Sequence, residues 1–344
     1  MKPEPFRIEP KFVQRIWGMR SLAPLFPEKT NLPEPIGEVW LTAFDCKVAT
    51  GPFTGRTLGE AWQEMPPEWR GTRFAEPSDF PLLIKFIFPN DKLSIQVHPD
   101  DAYAAVHEKA AGGRGKTEMW HVISAEPGAS LLLGFESGVT KESFLTAIED
   151  RTLEDLFQRH SVQAGETYFV PARTPHTIGP GMIICEVQEY SDLTYRLYDY
   201  GRVDAKGKPR ELHIAKALEV VEFNGGTASR VATRAVDLHG GNTSEHLFNC
   251  PYFKVDRWDL SSRFDVRRIP SHAFRLWVFL SGAGTVTWLT SSTQKKSDAE
   301  PVGTFSYKRG ECWFIPPTLV VHDIQPKEKS AVLETLVPEA SEID

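Results

Sequence analysis

The chain has 344 residues, 39 Lys and Arg against 46 Asp and Glu, and a net charge of −7. Hydrophobic residues are 41% and charged residues 25%, an ordinary globular balance, and the length fits two domains of about 150 residues. There is no apolar run of the roughly 18–20 residues a membrane span needs, no secretory signal in Met1-Lys2-Pro3-Glu4-Pro5, no Cys-x-x-Cys, and no basic cluster beyond Arg267-Arg268 and Lys295-Lys296 to bind nucleic acid. A cytoplasmic protein of small molecules is expected, with neither nucleic acid nor membrane as partner.

Short apolar runs between turn signals predict strands. In chain order they are Leu82–Phe88 and Leu93–His98, then Met119–Ala125 and Ser130–Phe135, then Thr167–Val170 and Met182–Glu189. A second set follows at Tyr252–Trp258, Arg275–Leu280, Gly284–Leu289, Cys312–Ile315 and Ala331–Leu336. Helices are predicted at Asp100–Ala111, whose first turn is acidic, and at Lys141–Ile148 behind the N-cap Thr140. Leu153–Arg159 reads as a further helix, because Thr152 and Asp155 have capping-box spacing. Glu211–Phe223 carries a helical apolar stripe and bridges the two strand sets. Gly225-Gly226 and Gly240-Gly241 flank a connector, and Thr290–Pro301 reads as an exposed hairpin loop.

The pattern Gly165-Glu166-x-x-Phe169-Val170-Pro171 recurs as Gly310-Glu311-x-x-Phe314-Ile315-Pro316, followed by His176 and His322. Such an echo predicts a duplicated fold. Gly165, Pro171 and His176 meet a Gly-x5-Pro-x4-His spacing that resembles the second motif of the cupin superfamily, with Arg173 where many cupins have Gly. The expected fold is mainly β, two cupin-like antiparallel jelly-roll barrels with a small helical portion. Residues 1–210 would form a metal-bearing unit with helical segments at about 100–111 and 140–160, 211–245 a bridge, and 246–344 a degenerate unit without metal.

Alternation along Leu93–His98 places Ser94, Gln96 and His98 on one face. Read alone, that face is the solvent side of an edge strand. With Glu118 at the head of the next strand and His176 from the cupin-like turn, Gln96, His98, Glu118 and His176 make a candidate metal shell. Two imidazoles, a carboxylate and an amide suit Zn²⁺ better than Ca²⁺ or Mg²⁺. The other histidines fit less well. His107 and His160 fall on predicted helices at the surface, His121 points to the opposite strand face from Glu118, and His213 reads as a helix-start residue.

Three motifs then carry a resemblance: Ser94-Ile95-Gln96-Val97-His98-Pro99-Asp100-Asp101, Gly115-Lys116-Thr117-Glu118-Met119-Trp120, and Thr194-Tyr195-Arg196-Leu197-Tyr198-Asp199-Tyr200-Gly201-Arg202. With Trp17-Gly18 and Ile36-Gly37-Glu38-Val39-Trp40, they resemble the type I mannose-6-phosphate isomerases, in order from about Pro10 to Ala217. The resemblance implies a zinc-dependent aldose–ketose isomerase with one zinc per chain, held by Gln96, His98, Glu118 and His176. It implies catalytic roles for Lys116, Arg196 and Glu186, although the spacing from His176 leaves Gln188 and Glu189 as rivals of Glu186. Ser94, Lys85 and Arg196 match positions that hold the phosphate. Without the resemblance, Lys85 is an edge gatekeeper or a buried functional cation, Lys116 part of an exposed turn, and Arg196 a structural ion-pair partner.

The expected reaction interconverts mannose 6-phosphate and fructose 6-phosphate through a cis-enediolate, with Lys116 or Glu186 as base. Two alternatives stand beside it: an isomerase or epimerase of another sugar phosphate on the same fold, and a non-catalytic sugar-binding cupin. A monomer is expected, since no heptad or exposed apolar helix calls for a partner.

Overall fold

The structure is a computed structural model that describes residues 2–76, 78–203, 207–223, 228–266, 272–290 and 302–343. Along the chain, strands β1 (Phe6–Ile8), β2 (Lys11–Met19) and β3 (Ile36–Trp40) precede helices α1 (Leu58–Glu64) and α2 (Pro67–Arg70). Then come β4 (Leu82–Ile87), β5 (Ile95–Val97), α3 (Asp101–His107), β6 (Glu118–Ala125), β7 (Ser130–Phe135) and α4 (Lys141–Glu149). They are followed by β8 (Phe157–Ser161), β9 (Thr167–Val170), β10 (His176–Ile178), β11 (Met182–Glu189), β12 (Tyr195–Tyr198) and α5 (Ile214–Val220). The last part runs through β13 (Ser229–Arg230), β14 (Ala235–Asp237), β15 (Thr243–Asn249), β16 (Lys254–Leu260), β17 (Phe264–Asp265) and β18 (Arg275–Ser281). It ends with β19 (Ala283–Thr290), β20 (Gly303–Lys308), β21 (Cys312–Ile315), β22 (Leu319–Pro326) and β23 (Ser330–Leu336). The mainly β, antiparallel class agrees with the sequence expectation.

The strands form four sheets, ordered β13-β9-β6-β11-β4-β3-β2, β12-β5-β10-β7-β8, β1-β21-β18-β23-β16-β15-β14 and β17-β22-β19-β20. The first two face each other across Trp120, Tyr168, Ile184, Leu131 and Leu133. The last two enclose Trp258, Trp277, Trp313, Val286 and Ile324. The large core between the two sandwiches draws Phe86, Met119 and Val187 from one and Val255, Leu276 and Phe314 from the other. Helices α4 and α5 cover the outer face of the second sheet through Phe144, Ala147, Ala217 and Val220. Strand β1, first in the chain, pairs with β21 and so belongs to the third sheet. No described helix is long and apolar enough to cross a membrane, and all four cysteines are free thiols.

The echo in the sequence is an echo in register. The seven strands of the first sheet and the seven of the third follow one order. Trp120 lies opposite Tyr168 and Glu186, and Trp277 opposite Trp313 and Glu334. Each tryptophan donates its Nε1–H to its glutamate, at 3.0 Å to Glu186 and 2.7 Å to Glu334. The place of Glu118, two before Trp120, is held by Arg275 in the second copy, whose Nη1 lies 3.8 Å from Glu334.

Several predicted elements change. Leu153–Arg159 is not a helix: a short 3₁₀ turn at Leu153–Leu156 ends and β8 begins, because Phe157 enters the core beside Phe135 and the chain pairs with β7. The helical stretch expected at 140–160 therefore stops before Phe157, and His160 sits on a strand. The helix after Asp100 closes at His107, with a 3₁₀ turn at Lys109–Ala111, and α5 is shorter than Glu211–Phe223. Thr140 caps α4 as expected, with Ser143 completing the box. Gly225-Gly226, Arg267-Arg268, Lys295-Lys296, most of the loop 290–301 and the side chain of His322 lie outside the described residues; β19 and β20, which flank that loop, do pair as a hairpin.

Candidate active site

Two rows of cross-strand neighbours build the site, one on each facing sheet. On the second sheet, Gln96 of β5 lies between His176 of β10 and Arg196 of β12, and neighbours in register share a face. On the first sheet, Glu186 of β11 lies between Trp120 of β6 and Lys85 of β4. The polar face of β5 turns inward: Ser94, Gln96 and His98 point into the sandwich while Ile95 and Val97 pack under the helices. The solvent-edge alternative is excluded, with Ser94 3% and His98 1% exposed. Lys85 is no edge gatekeeper either, since β4 lies between β11 and β3.

His98, Glu118 and His176 bring ligand atoms within 4.8 Å of one another. His98 Nδ1 lies 2.7 Å from the carbonyl of Leu193, and His176 Nδ1 lies 2.9 Å from that of Thr174. A carbonyl only accepts, so each Nδ1 carries the proton and each Nε2 lone pair points inward. The Nε2 atoms stand 3.3 Å and 3.9 Å from the two carboxylate oxygens of Glu118. Burial first, then the Lys116 ammonium, pushes His98 down to about 3, and burial lowers His176. Both rings are neutral. Burial opposes ionisation of Glu118, but Lys116 and His98 hold its pKa well below the usual carboxylate range.

These residues fit a zinc ion. Three sets of lone pairs converge in a buried space, those of His98 Nε2, His176 Nε2 and the Glu118 carboxylate. Gln96 Nε2 is placed 3.3 Å from His176 Nε2; turning the amide, whose N and O are assigned by their surroundings, presents a fourth donor oxygen.

Around the trio lie the charged groups. Lys116 Nζ is 2.7 Å from Glu118 Oε1 and 3.3 Å from His98 Nε2. Lys85 Nζ is 2.9 Å from Glu186 Oε1, with both side chains almost fully buried. Burial disfavours the Lys85 ammonium, but Glu186, Glu38 and Glu118 outweigh it and raise its pKa. Glu186 is raised, by burial and then by Glu118, with Lys85 opposing. Between the sheets opens a cavity of about 490 Å³ bordered by Lys85, Ser94, Gln96, Lys116, Glu186 and Arg196. Arg196 is half-buried, bonds Ser94 Oγ at 3.3 Å and the carbonyl of Glu211 at 2.9 Å, and has no carboxylate partner among the described residues. Its guanidinium is free to meet an anion.

All the sequence-predicted residues thus gather at one place, and the spacing rivals separate. Gln188 bonds the backbone of Glu189 and Ser191, and Glu189 accepts from Thr117 N–H; only Glu186 borders the cavity. Arg173 takes the left-handed φ of 72° that favours Gly. Its N–H bonds the carbonyl of His98 at 2.7 Å and its side chain reaches Asp100, so the departure from Gly fastens the turn to the ligand strand.

Sequence reasoning missed Glu38, Arg15 and His213. Glu38 is buried beside Lys85, gripped by Arg15 through two hydrogen bonds of 3.0–3.1 Å and by Trp40 Nε1 at 2.6 Å. Its signal was a carboxylate inside the apolar run Ile36–Trp40. His213 Nδ1 accepts the N–H of Arg196 at 3.1 Å and fixes the backbone there. His121, away from the site as expected, bonds Thr167 and Arg257 of the other sandwich.

A family model of the type I phosphomannose isomerase catalytic domain matches residues 5–119. Mannose-6-phosphate isomerase ManA of Bacillus subtilis is 37% identical over 275 residues, 78% of this chain and 83% of that one. The crystal structure of the mannose 6-phosphate isomerase from Bacillus subtilis superposes with a TM-score of 0.83 at 29% identity, covering 97% of this chain and 99% of that one. A zinc-bound mannose 6-phosphate isomerase structure shares the fold at 16% identity with a TM-score of 0.70, over 97% of this chain and 100% of that one. The register, the buried donor set and these likenesses lead to one conclusion: the chain belongs to the type I phosphomannose isomerases.

Proposed function

We propose that this protein interconverts mannose 6-phosphate and fructose 6-phosphate with one zinc ion per chain. The observation that carries the reading is the convergence of His98 Nε2, His176 Nε2 and the Glu118 carboxylate beside a cavity bordered by Lys116, Glu186 and Arg196, which has no carboxylate partner among the described residues. Gln96, His98, Glu118 and His176 would hold the ion, which when bound supplies Lewis-acid polarisation of substrate oxygens.

The chain's own residues do the rest. Arg196 and Ser94 bind the phosphate of the open-chain sugar, and Lys85 adds positive potential from the cavity floor. Glu186, oriented by Trp120 Nε1, takes the proton from C2 of the aldose and returns it to C1, leaving a cis-enediolate in between. Lys116, fixed against Glu118, donates a hydrogen bond to the oxyanion that develops at O1, a stabilisation that is usually a large part of such catalysis, and the C2 hydroxyl proton passes to O1 as the C2 carbonyl forms. We further propose two copies of one cupin unit, over residues 1–210 and 246–344 joined by 211–245, with β1 lent to the second, in a monomer of the cytoplasm.

Turnover in D₂O tests the proton transfer. Solvent deuterium is expected at C1 or C2 of the product, and Glu186→Gln is expected to keep its zinc while losing about 10²–10⁴-fold in kcat. Full turnover in Glu186→Gln would remove Glu186 from the role of base. Faster turnover of glucose or ribose phosphates than of mannose 6-phosphate would reassign the substrate.

A further inference from the structure

Lys116 and Glu118 enter the site from the segment Gly112–Thr117, which has no regular secondary structure. It is tied down through its backbone. The N–H of Gly115 donates to Asp101 Oδ1 at 2.7 Å, that of Lys116 to the carbonyl of Pro99 at 3.1 Å, and that of Thr117 to Glu189 Oε1 at 2.8 Å. Gly115 is pressed so close to α3 that a Cβ would come within 2.5 Å of the Asp101 nitrogen. Two carboxyl groups, Asp101 and Glu189, therefore bracket the residue that carries Lys116.

Those carboxyls are electrostatic neighbours, and both act on Tyr252 of the second sandwich. Glu189 is 6% exposed, lies three residues beyond Glu186 and faces away from the cavity. Burial pushes its pKa up to about 8, and the charge of the neighbouring Asp101 adds to the rise. At neutral pH it therefore carries a proton. Tyr252, from the turn between β15 and β16, packs against the core shared by the two sandwiches, and burial, then the nearby charges of Glu189 and Asp101, raise its pKa.

We propose that Glu189 and Asp101, braced by Tyr252 of the second sandwich, form a latch that positions Lys116 and Glu118 in the active site. They are positioning residues, since neither borders the cavity. The latch gives the second sandwich a part in the activity of the first. Its kinetic consequence rests on the isomerase reading; its structural consequence does not.

The test compares Glu189→Ala, Glu189→Gln and Tyr252→Phe by amide hydrogen exchange, metal content and kinetics on mannose 6-phosphate. Removing the acceptor strands a buried N–H, so Glu189→Ala is expected to speed exchange of the Thr117 amide about tenfold. The same variant should lower kcat about tenfold with KM within about threefold, the pattern of a lost transition-state interaction. Glu189→Gln keeps an acceptor at Oε1 and is expected to stay near wild type in both readouts. Tyr252→Phe should speed exchange of the Gly115 amide about threefold or more. Unchanged Thr117 exchange in Glu189→Ala, or a Gln variant as impaired as Ala, overturns the latch, and unchanged Gly115 exchange in Tyr252→Phe overturns the brace. Accelerated exchange in a protein without isomerase activity would support the latch and refute the isomerase reading.

Discussion

Replacing Glu118 by Gln is expected to weaken zinc binding by about a hundredfold or more and to leave below about 1% of kcat/KM. Glu118 is the only anion of the donor set, beside two imidazoles that burial keeps neutral. Gln preserves the volume, so the effect reports charge and ligand strength. The same change strands Lys116, 3% exposed, next to a neutral amide. Breaking a buried pair from one side costs about 3–5 kcal/mol, so the variant should also unfold at lower urea. Adding Lys116→Met removes the stranded ammonium and should restore stability without restoring the metal. Metal content, kcat/KM and urea denaturation separate the two effects. Wild-type turnover in a Glu118→Gln protein shown to lack zinc would contradict the assignment of the shell.

Lys85→Met carries the largest expected effect on folding itself. Lys85 faces Glu186 at 2.9 Å with Glu38 next to it on β3, all of them buried. The methionine fills the space and leaves the carboxylates without their shared cation, a loss of about 3–5 kcal/mol in unfolding free energy. The deficit has a pH signature. Glu186 already has a raised pKa from burial and from Glu118, and loss of Lys85 raises it further. The folded variant then keeps a proton that the unfolded chain releases above the ordinary Glu value near 4.5. Its stability therefore falls as pH rises above that value and recovers on acidification. Lys85→Met combined with Glu186→Gln should regain part of the loss. A Lys85→Met protein as stable as wild type at pH 8 would show that the pair carries no net stability.

Much of the site was legible because its residues obey local rules. Alternation put Ser94, Gln96 and His98 on one face, and the Gly165–Pro171–His176 spacing supplied the second imidazole. What alternation leaves open is which way a face points: the polar side of β5 reads as solvent-facing until β6, β11 and β4 close over it. Lys85 has the same ambiguity, settled by the central place of β4 in its sheet. Glu38 and His213 act through partners far along the chain, Lys85 and Arg196; the apolar run Ile36–Trp40 marks Glu38 as a carboxylate that needs a partner, but no short-range pattern names either partner. The segment 153–159 was misread because a capping-box spacing favours a helix locally, while tertiary pairing of β8 with β7 and burial of Phe157 win. The duplicated turn was visible, but the exchange of Glu118 for Arg275 at the matching position became apparent only in register.

The most direct test of the account is the rate of conversion of mannose 6-phosphate to fructose 6-phosphate by metal-stripped and zinc-reloaded protein, with the bound metal counted alongside. The account predicts that stripped protein stays folded and inactive, and that activity returns in proportion to zinc up to one ion per chain. Full activity after complete removal of the metal, or no isomerisation at one bound zinc per chain, would contradict it.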